Sequence, residues 1–213
     1  GRITVTPLGV RVSEAAAVPE GILRAQLGLG RARVLLCVAQ KRPYKNLQGL
    51  IRALPALSRD VTAVLVGSST PHEAELRRLA GDLGVADRVR MTDWVSEAEL
   101  EGLYAVSEGF VLPSLIEGFG LPVLEAMARG VPVACSEIPA LSEVAGDAAL
   151  RFDPADQGAI DRALRRLLAD GDLRRDLVAR GLERAAHFSW SRTGAGSLRA
   201  YREAIARRGG RGG

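Results

Sequence analysis

The chain has 213 residues, of which 47% are hydrophobic and 25% charged, with 24 glycines and 10 prolines. Those proportions exclude a disordered, collagen-like or coiled-coil protein, and the length allows one large core or at most two small ones. The formal charge of +4 raises nucleic acid as a partner, but the arginines alternate with acids in helix-like stretches such as ELRRLAGDL and RALRRLLADGDLRRDL. That pattern reads as solvated amphipathic faces with no basic stripe, so no nucleic-acid partner is expected.

In chain order, residues 1–30 open on an apolar, strand-like start and continue through a Pro-, Ala- and Gly-containing stretch, which reads as a linker and lead-in. Short apolar or β-branched runs follow at 33–39, 61–67, 88–91, 109–112, 131–135 and 149–152, each bounded by Gly, Pro or polar residues. Their brevity and flanks predict strands. Amphipathic stretches near 46–57, 71–83, 97–106, 120–129 and 139–145 alternate with them, and three more lie near 156–169, 172–187 and 190–207. Strict alternation of this kind predicts an α/β fold: a single Rossmann-like, doubly wound, parallel six-stranded sheet with C-terminal helices. The domain spans 31–187, a C-terminal helix covers 188–208, and the glycine-rich end of RRGGRGG, 209–213, is expected to be a disordered tail.

No apolar run approaches the ~20 residues that cross a bilayer, and no signal-peptide pattern opens the sequence, so a cytoplasmic location is expected. Cys37 and Cys135 both sit in apolar runs, which suits buried thiols in a reducing compartment better than a disulfide or a metal pair. With only two histidines and no acidic cluster suited to Mg²⁺, no metal site is expected.

Ligands of open α/β sheets bind beyond the carboxyl ends of the strands, so the residues that follow each strand carry the functional signal. After the first strand comes AQKRPYKN, which holds both lysines of the chain, Lys41 and Lys45. A cation on a proline-shaped loop that opens a helix suits a phosphate; the alternative is a solvated surface lysine. After the fourth strand comes PSLIEGFGLPVLEAMARG. Gly118 and Gly120 permit close backbone approach, Pro122 falls in the first turn of a helix, and Gly130 lies just past its end. The N-terminus of that helix would stabilise an anion. Glu117 and Glu125 bracket the turn, and a carboxylate can hold two vicinal sugar hydroxyls; the alternative makes them a loop acid and a helix-dipole acid. In TDWVSEAEL, Ser96 and Glu99 form a capping box, and Trp94 offers either a flat face for a ring or partial core. His72 and His187 have no nearby nucleophile in the sequence and read as surface or packing residues.

The stretch 113–136, PSLIEGFGLPVLEAMARGVPVACS, resembles the signature of the retaining glycosyltransferase family 4, the glycosyl transferases group 1, with Glu117 and Glu125 as its E-x7-E motif. TPLGV at 6–10, RPYKNLQGLIRAL at 42–54, LVG at 65–67, DRVRMTDWVSEAELEGLYAVSE at 87–108, IPALSEVAGDAALRFDP at 138–154 and FSW at 188–190 match in the same order. The resemblance implies the C-terminal, donor-binding half of a two-domain GT-B enzyme, opening on the interdomain linker. Such an enzyme moves a hexose from a nucleotide diphosphate sugar to an acceptor hydroxyl with retention and without a metal or other required cofactor. The isolated half would be inactive without its N-terminal acceptor-binding domain.

By matching position, Glu125 would bind the ribose hydroxyls and Glu117 would lie against the donor sugar. The backbone of Gly118, Phe119, Gly120 and Leu121 would meet the sugar and diphosphate, Lys45 would pair with the diphosphate, and Asp93, Trp94 and Val95 would border the base. At Gln40 many members carry an Arg as a second diphosphate cation, and Lys41 and Arg42 are the neighbours that could compensate; Asp93 replaces a frequent Gly. The RPYKN form of the lysine loop favours GDP-mannose over a UDP-sugar as donor. Members often act on lipid-linked acceptors, and the Arg-rich faces would tolerate peripheral association with the inner face of the membrane. The alternative function is a non-catalytic nucleotide-sugar-binding or assembly module.

Overall fold

Parallel strands buried on both faces are spelled as unbroken apolar runs, and six such runs form strands in the computed structural model, which describes residues 3–209. They are β1 (Arg33–Val38), β2 (Val61–Val66), β3 (Val89–Thr92), β4 (Ser107–Leu112), β5 (Val133–Ser136) and β6 (Ala149–Phe152). All pair in parallel in the order β3-β2-β1-β4-β5-β6, the doubly wound order whose direction reverses between β1 and β4. β4 begins two residues before its apolar run because its polar start is satisfied locally. The Ser107 hydroxyl donates to Leu103 O at 2.5 Å, and the Arg33 guanidinium grips Glu108 with both oxygens engaged.

The helices are α1 (Glu20–Gln26), α2 (Leu47–Ala53), α3 (His72–Asp82), α4 (Glu97–Val106), α5 (Leu121–Ala128), α6 (Pro139–Ala145), α7 (Gln157–Ala169), α8 (Gly171–Ala186) and α9 (Trp190–Gly209). Right-handed crossovers place α2 and α3 on one face of the sheet and α4, α5 and α6 on the other. Packing of α7 on α2, and of α8 on α5, adds one of these C-terminal helices to each face. The stretch 46–57 is shorter as an α-helix than its periodicity suggests. Pro55 has no N–H to continue the ladder, so α2 closes into a 3-10 turn at Leu54–Ala56.

Two end segments depart from the sequence reading. Among the described residues the lead-in contains no strand at its apolar start, and it contains a helix, α1. Only Leu23 of that helix is fully buried, so its apolar pattern is too thin to read; packing on α4 and an Arg24–Glu20 ion pair of 2.6 Å hold it. At the other end, α9 continues through 207–209, so Gly209 is helical where a disordered tail was expected. The remainder of that tail, 210–213, lies outside the described residues. The lead-in is fastened to the start of α9: Val10 N–H donates to Phe188 O at 2.9 Å, and a Cβ on Gly9 would stand 2.2 Å from the Trp190 nitrogen.

Cys37 and Cys135 are both free and buried, and burial pushes each thiol up to about 12. β4 separates their strands, which at ~4.8 Å per strand spacing leaves them about 10 Å apart, beyond disulfide reach. Buried strand thiols are therefore the correct reading.

Candidate functional site: a cleft at the carboxyl ends of the strands

Strand register makes the cleft. Val38 pairs with Val66 and Val66 with Thr92, so β1, β2 and β3 end level with one another. The residues that emerge next, Ala39 and Gln40, Gly67 and Ser68, and Asp93 to Val95, form the wall of a cleft of about 390 Å³. Tyr44, Lys45, Leu100 and Pro122 complete it, which brings the loop after β1 and the start of α5 to the point where the strand order reverses. Gly67 is there by necessity. Its φ is +144°, and a Cβ would lie 2.3 Å from Ala39 O, so any other residue would force β1 and β2 apart at their ends.

The two lysines take opposite roles. Lys41 has no exposed surface; its ammonium donates to Gly67 O and, at 2.6 Å, to Thr92 O, and lies 3.4 Å from Glu73 of α3. Gly67 follows β2 directly and Thr92 ends β3; Thr92 O also accepts from Gly67 N–H at 3.4 Å, so the ammonium ties the ends of the two strands together. Lys41 therefore cannot serve as the second diphosphate cation. Arg42 is exposed and its Nε donates to Gln40 Oε1 at 3.1 Å, which keeps one guanidinium beside the cleft. Burial pushes the Glu73 carboxyl up, but hydrogen bonds from Ser69 and Arg77 and the Lys41 charge outweigh it and hold Glu73 below its usual range.

Lys45, four residues on, faces the cleft. Its Nζ donates to Glu117 Oε1 at 2.7 Å and sits 5.2 Å from the centre of the Tyr44 ring. The chain enters this position through a 3-10 turn, Pro43–Lys45, and leaves it through Asn46 in the left-handed region (φ 51°), a conformation Asn tolerates better than most residues. The Asn46 amide is buried and donates to Pro154 O at 3.1 Å, fixing the turn from below. Glu117 is neither an exposed loop acid nor free, since the buried Ser114 hydroxyl also donates to its Oε1 at 2.7 Å. Leu115 N–H to Tyr44 O, at 2.8 Å, joins the loops after β1 and β4 across the reversal point.

From Glu117 the chain runs through Gly118 and Phe119 to Gly120, which caps α5 with φ +100°. A Cβ at Gly120 would stand 2.3 Å from Leu141 Cδ2, whereas Gly118 is open on all sides. Among the described residues, none accepts from the N–H groups of Gly118, Phe119, Gly120 or Leu121, so four consecutive donors are available to an anion or a sugar. The Phe119 ring packs edge-on against Phe188, 6.0 Å between centres. Glu125 stands three residues after the cleft-lining Pro122 and so shares its side of α5. Burial raises its carboxyl above the usual range, offset in part by the Arg129 charge and a hydrogen bond from Tyr104.

Of the residues singled out by sequence, Gln40, Lys45, Asp93, Trp94 and Val95 line one cleft, Glu117 joins it through Lys45, and Gly118 to Leu121 and Glu125 follow along the turn and helix. Trp94 is 81% exposed, which removes the partial-core alternative. Asp93 accepts from Ser69 N–H at 3.1 Å, and the Ser96–Glu99 capping box is present at the start of α4. His72 opens α3 beside Glu75, and the His187 ring meets Glu183 O, so neither histidine enters the cleft. Sequence reasoning missed Asn46, Ser114, Tyr104 and Arg129. Among the described residues no His, Cys, Asp and Glu group could hold a metal, and no helix is long and apolar enough to cross a membrane. A second cleft, about 410 Å³, lies between Val5–Leu8 and α9, and none of its lining residues follows a strand.

A doubly wound parallel sheet flanked by helices, with a loop lysine, a glycine turn and a carboxylate pair near its reversal point, defines a Rossmann-like α/β domain. The chain belongs to the glycosyl transferases group 1, whose family description matches residues 21–184. It is 37% identical over 171 residues to the O-antigen chain mannosyltransferase B of Escherichia coli, covering 78% of this chain and 45% of that protein. It is 34% identical over 212 residues to the MMP alpha-(1->4)-mannosyltransferase of Mycolicibacterium hassiacum, covering 97% and 49%. Among solved structures it superposes on the sucrose-phosphate synthase of Thermosynechococcus elongatus with a TM-score of 0.79 and 30% identity, covering 95% of this chain and 52% of that one. The chain thus spans about half the length of these relatives.

Proposed function

We propose that the chain is the donor-binding half of a retaining hexosyltransferase, with a nucleotide diphosphate sugar bound along the cleft. The observation that supports this is that Lys45 lines the cleft and pairs with Glu117, from which the chain runs through four consecutive N–H groups without an acceptor among the described residues to the cleft-lining Pro122. Breaking a sugar–diphosphate bond gathers negative charge on the leaving group. An ammonium and fixed backbone donors stabilise that charge more in the transition state than in the ground state. In this reading Lys45 exchanges Glu117 for the diphosphate, the released Glu117 carboxylate faces the sugar, and Glu125 holds the ribose hydroxyls. Asp93, Trp94 and Val95 border the base.

GDP-mannose is the favoured donor, in line with the two mannosyltransferases to which the chain is similar; a UDP-sugar is the alternative. The acceptor would bind a separate domain. The exposed apolar side chains of Leu198, Tyr201 and Ile205, one stripe of α9, together with Ile3 and Val5, suit cover by such a domain. Action in the cytoplasm, with peripheral contact at the inner face of the membrane, belongs to the same proposal. Calorimetric titration with GDP-, UDP- and ADP-linked sugars tests it: binding of one of them is expected, weakened in Lys45→Ala and Glu125→Ala. Absence of binding at millimolar concentration, or unchanged binding in both variants, would refute the assignment.

A further inference from the structure

A half-buried carboxylate must have its oxygens met by donors or by water. Glu125 Oε2 accepts from the Tyr104 hydroxyl at 3.3 Å, while Oε1 accepts nothing from the described residues and is not sealed from solvent. Tyr104 is itself buried, with its ring 6.1 Å from that of Phe110. Packing alone would need only a phenylalanine there, because a buried hydroxyl costs stability unless it is bonded. Among the described residues, the one bond this hydroxyl makes is to Glu125.

Arg129, which caps the C-terminus of α5, closes the arrangement one turn after Glu125. Its Nη1 donates to the Glu125 carbonyl at 2.9 Å, its guanidinium lies 4.7 Å over the Tyr104 ring, and its Nε donates to Glu101 of α4 at 2.8 Å. Glu101 in turn accepts from the Ser13 N–H at 3.3 Å. The charged and titratable groups around the Glu125 carboxylate are therefore Arg129 at the C-cap of its helix and Tyr104 and Glu101 from α4. Arg129 and the tyrosine hydroxyl both favour the ionised form, against burial and the charge of Glu101.

We infer that Tyr104 and Arg129 are positioning residues for Glu125: Tyr104 fixes one carboxylate oxygen, Arg129 holds the backbone carbonyl, and the other carboxylate oxygen is left to receive the vicinal hydroxyls of the donor's ribose. The inference rests on the ribose role proposed for Glu125, and it names the two side chains that make that role geometrically specific. With Oε2 held from α4 and the helix backbone clamped by Arg129, Oε1 has one orientation to offer. A diol is then read at lower entropic cost than by a freely rotating acid.

The test is titration of the 213-residue chain with GDP and UDP and with their 2′-deoxy and 3′-deoxy forms, in wild type, Tyr104→Phe, Arg129→Lys, Arg129→Met and Glu125→Gln. The ribo-to-deoxy affinity ratio isolates the sugar contact from any general effect on folding. Wild type is expected to favour the ribo form by about tenfold, and Tyr104→Phe to cut that preference to about threefold or less with deoxy affinity unchanged. Affinity for the ribo form falls on acidification as Glu125 gains a proton. Arg129→Met should move that fall to higher pH, and Arg129→Lys should restore it. If Glu125→Gln loses the ribo preference while Tyr104→Phe keeps it and Arg129→Met leaves the pH profile unmoved, the inference falls and the ribose role stands. If wild type shows no ribo preference, or binds neither nucleotide at millimolar concentration, both fall together.

Discussion

Lys41 and Lys45 lie one helical turn apart in sequence, on the same loop at the same end of the sheet, yet their surroundings differ in every physical respect. Lys41 is enclosed, and its ammonium donates to two strand-end carbonyls and stands 3.4 Å from a carboxylate. Lys45 borders the cleft, and its partner Glu117 is a single carboxylate that a more highly charged anion can displace. The first cation completes the backbone hydrogen bonding of the scaffold, and the second is left exchangeable. A positive charge at a sheet's carboxyl end is thus evidence of a ligand site only when its counterion can leave.

The largest expected effect breaks the first half of this contrast. Lys41→Met leaves Gly67 O unpaired and takes the buried ammonium from Thr92 O and Glu73, and should cost about 3–5 kcal/mol, read as a lower urea midpoint with an unchanged slope. Lys45→Met should cost only about 1 kcal/mol in the same assay, because Glu117 keeps the Ser114 hydroxyl, while affinity for a nucleoside diphosphate drops by about 10–100-fold.

An acid titration of stability sharpens the same point. The Glu73 carboxyl is held low in the folded state, so its contribution is complete above about pH 4.3, the unfolded value, and is lost as pH falls through the lower folded one. In Lys41→Met the folded value rises, and the acid limb of the stability profile should move to higher pH. The smallest expected effect is the most diagnostic in sign. Glu117→Gln releases Lys45 from its competing anion and should tighten diphosphate binding by about threefold while lowering any transfer activity. Looser binding would show that Glu117 supports the ligand and does not compete with it.

What could be read without coordinates was local. Six apolar runs, the Gly120–Leu121–Pro122 start of α5 and the Ser96–Glu99 cap each declare themselves within a few residues, and all are present. The separate fates of the lysines were not legible. Which carbonyls the Lys41 ammonium meets depends on where β2 and β3 stop relative to β1, and Gly67 and Thr92 lie 26 and 51 residues from Lys41. Tyr104 was hidden for the same reason, since the pairing of its hydroxyl with Glu125 spans two helices and 21 residues. Helix α1 escaped because a seven-residue helix with one buried leucine has too little periodicity to register. The positions that bear the candidate chemistry were visible as residue types; the groups that hold them in place became visible only with the register.

If Lys45 meets the diphosphate of a bound nucleotide at the carboxyl ends of the strands, parallel calorimetric titrations of wild type and Lys45→Met with GDP and with guanosine will separate the phosphate contact from the rest of the site. Wild type should bind GDP more tightly than guanosine, and Lys45→Met should erase most of that difference while leaving guanosine binding unchanged. An undiminished preference for GDP in Lys45→Met would contradict the account.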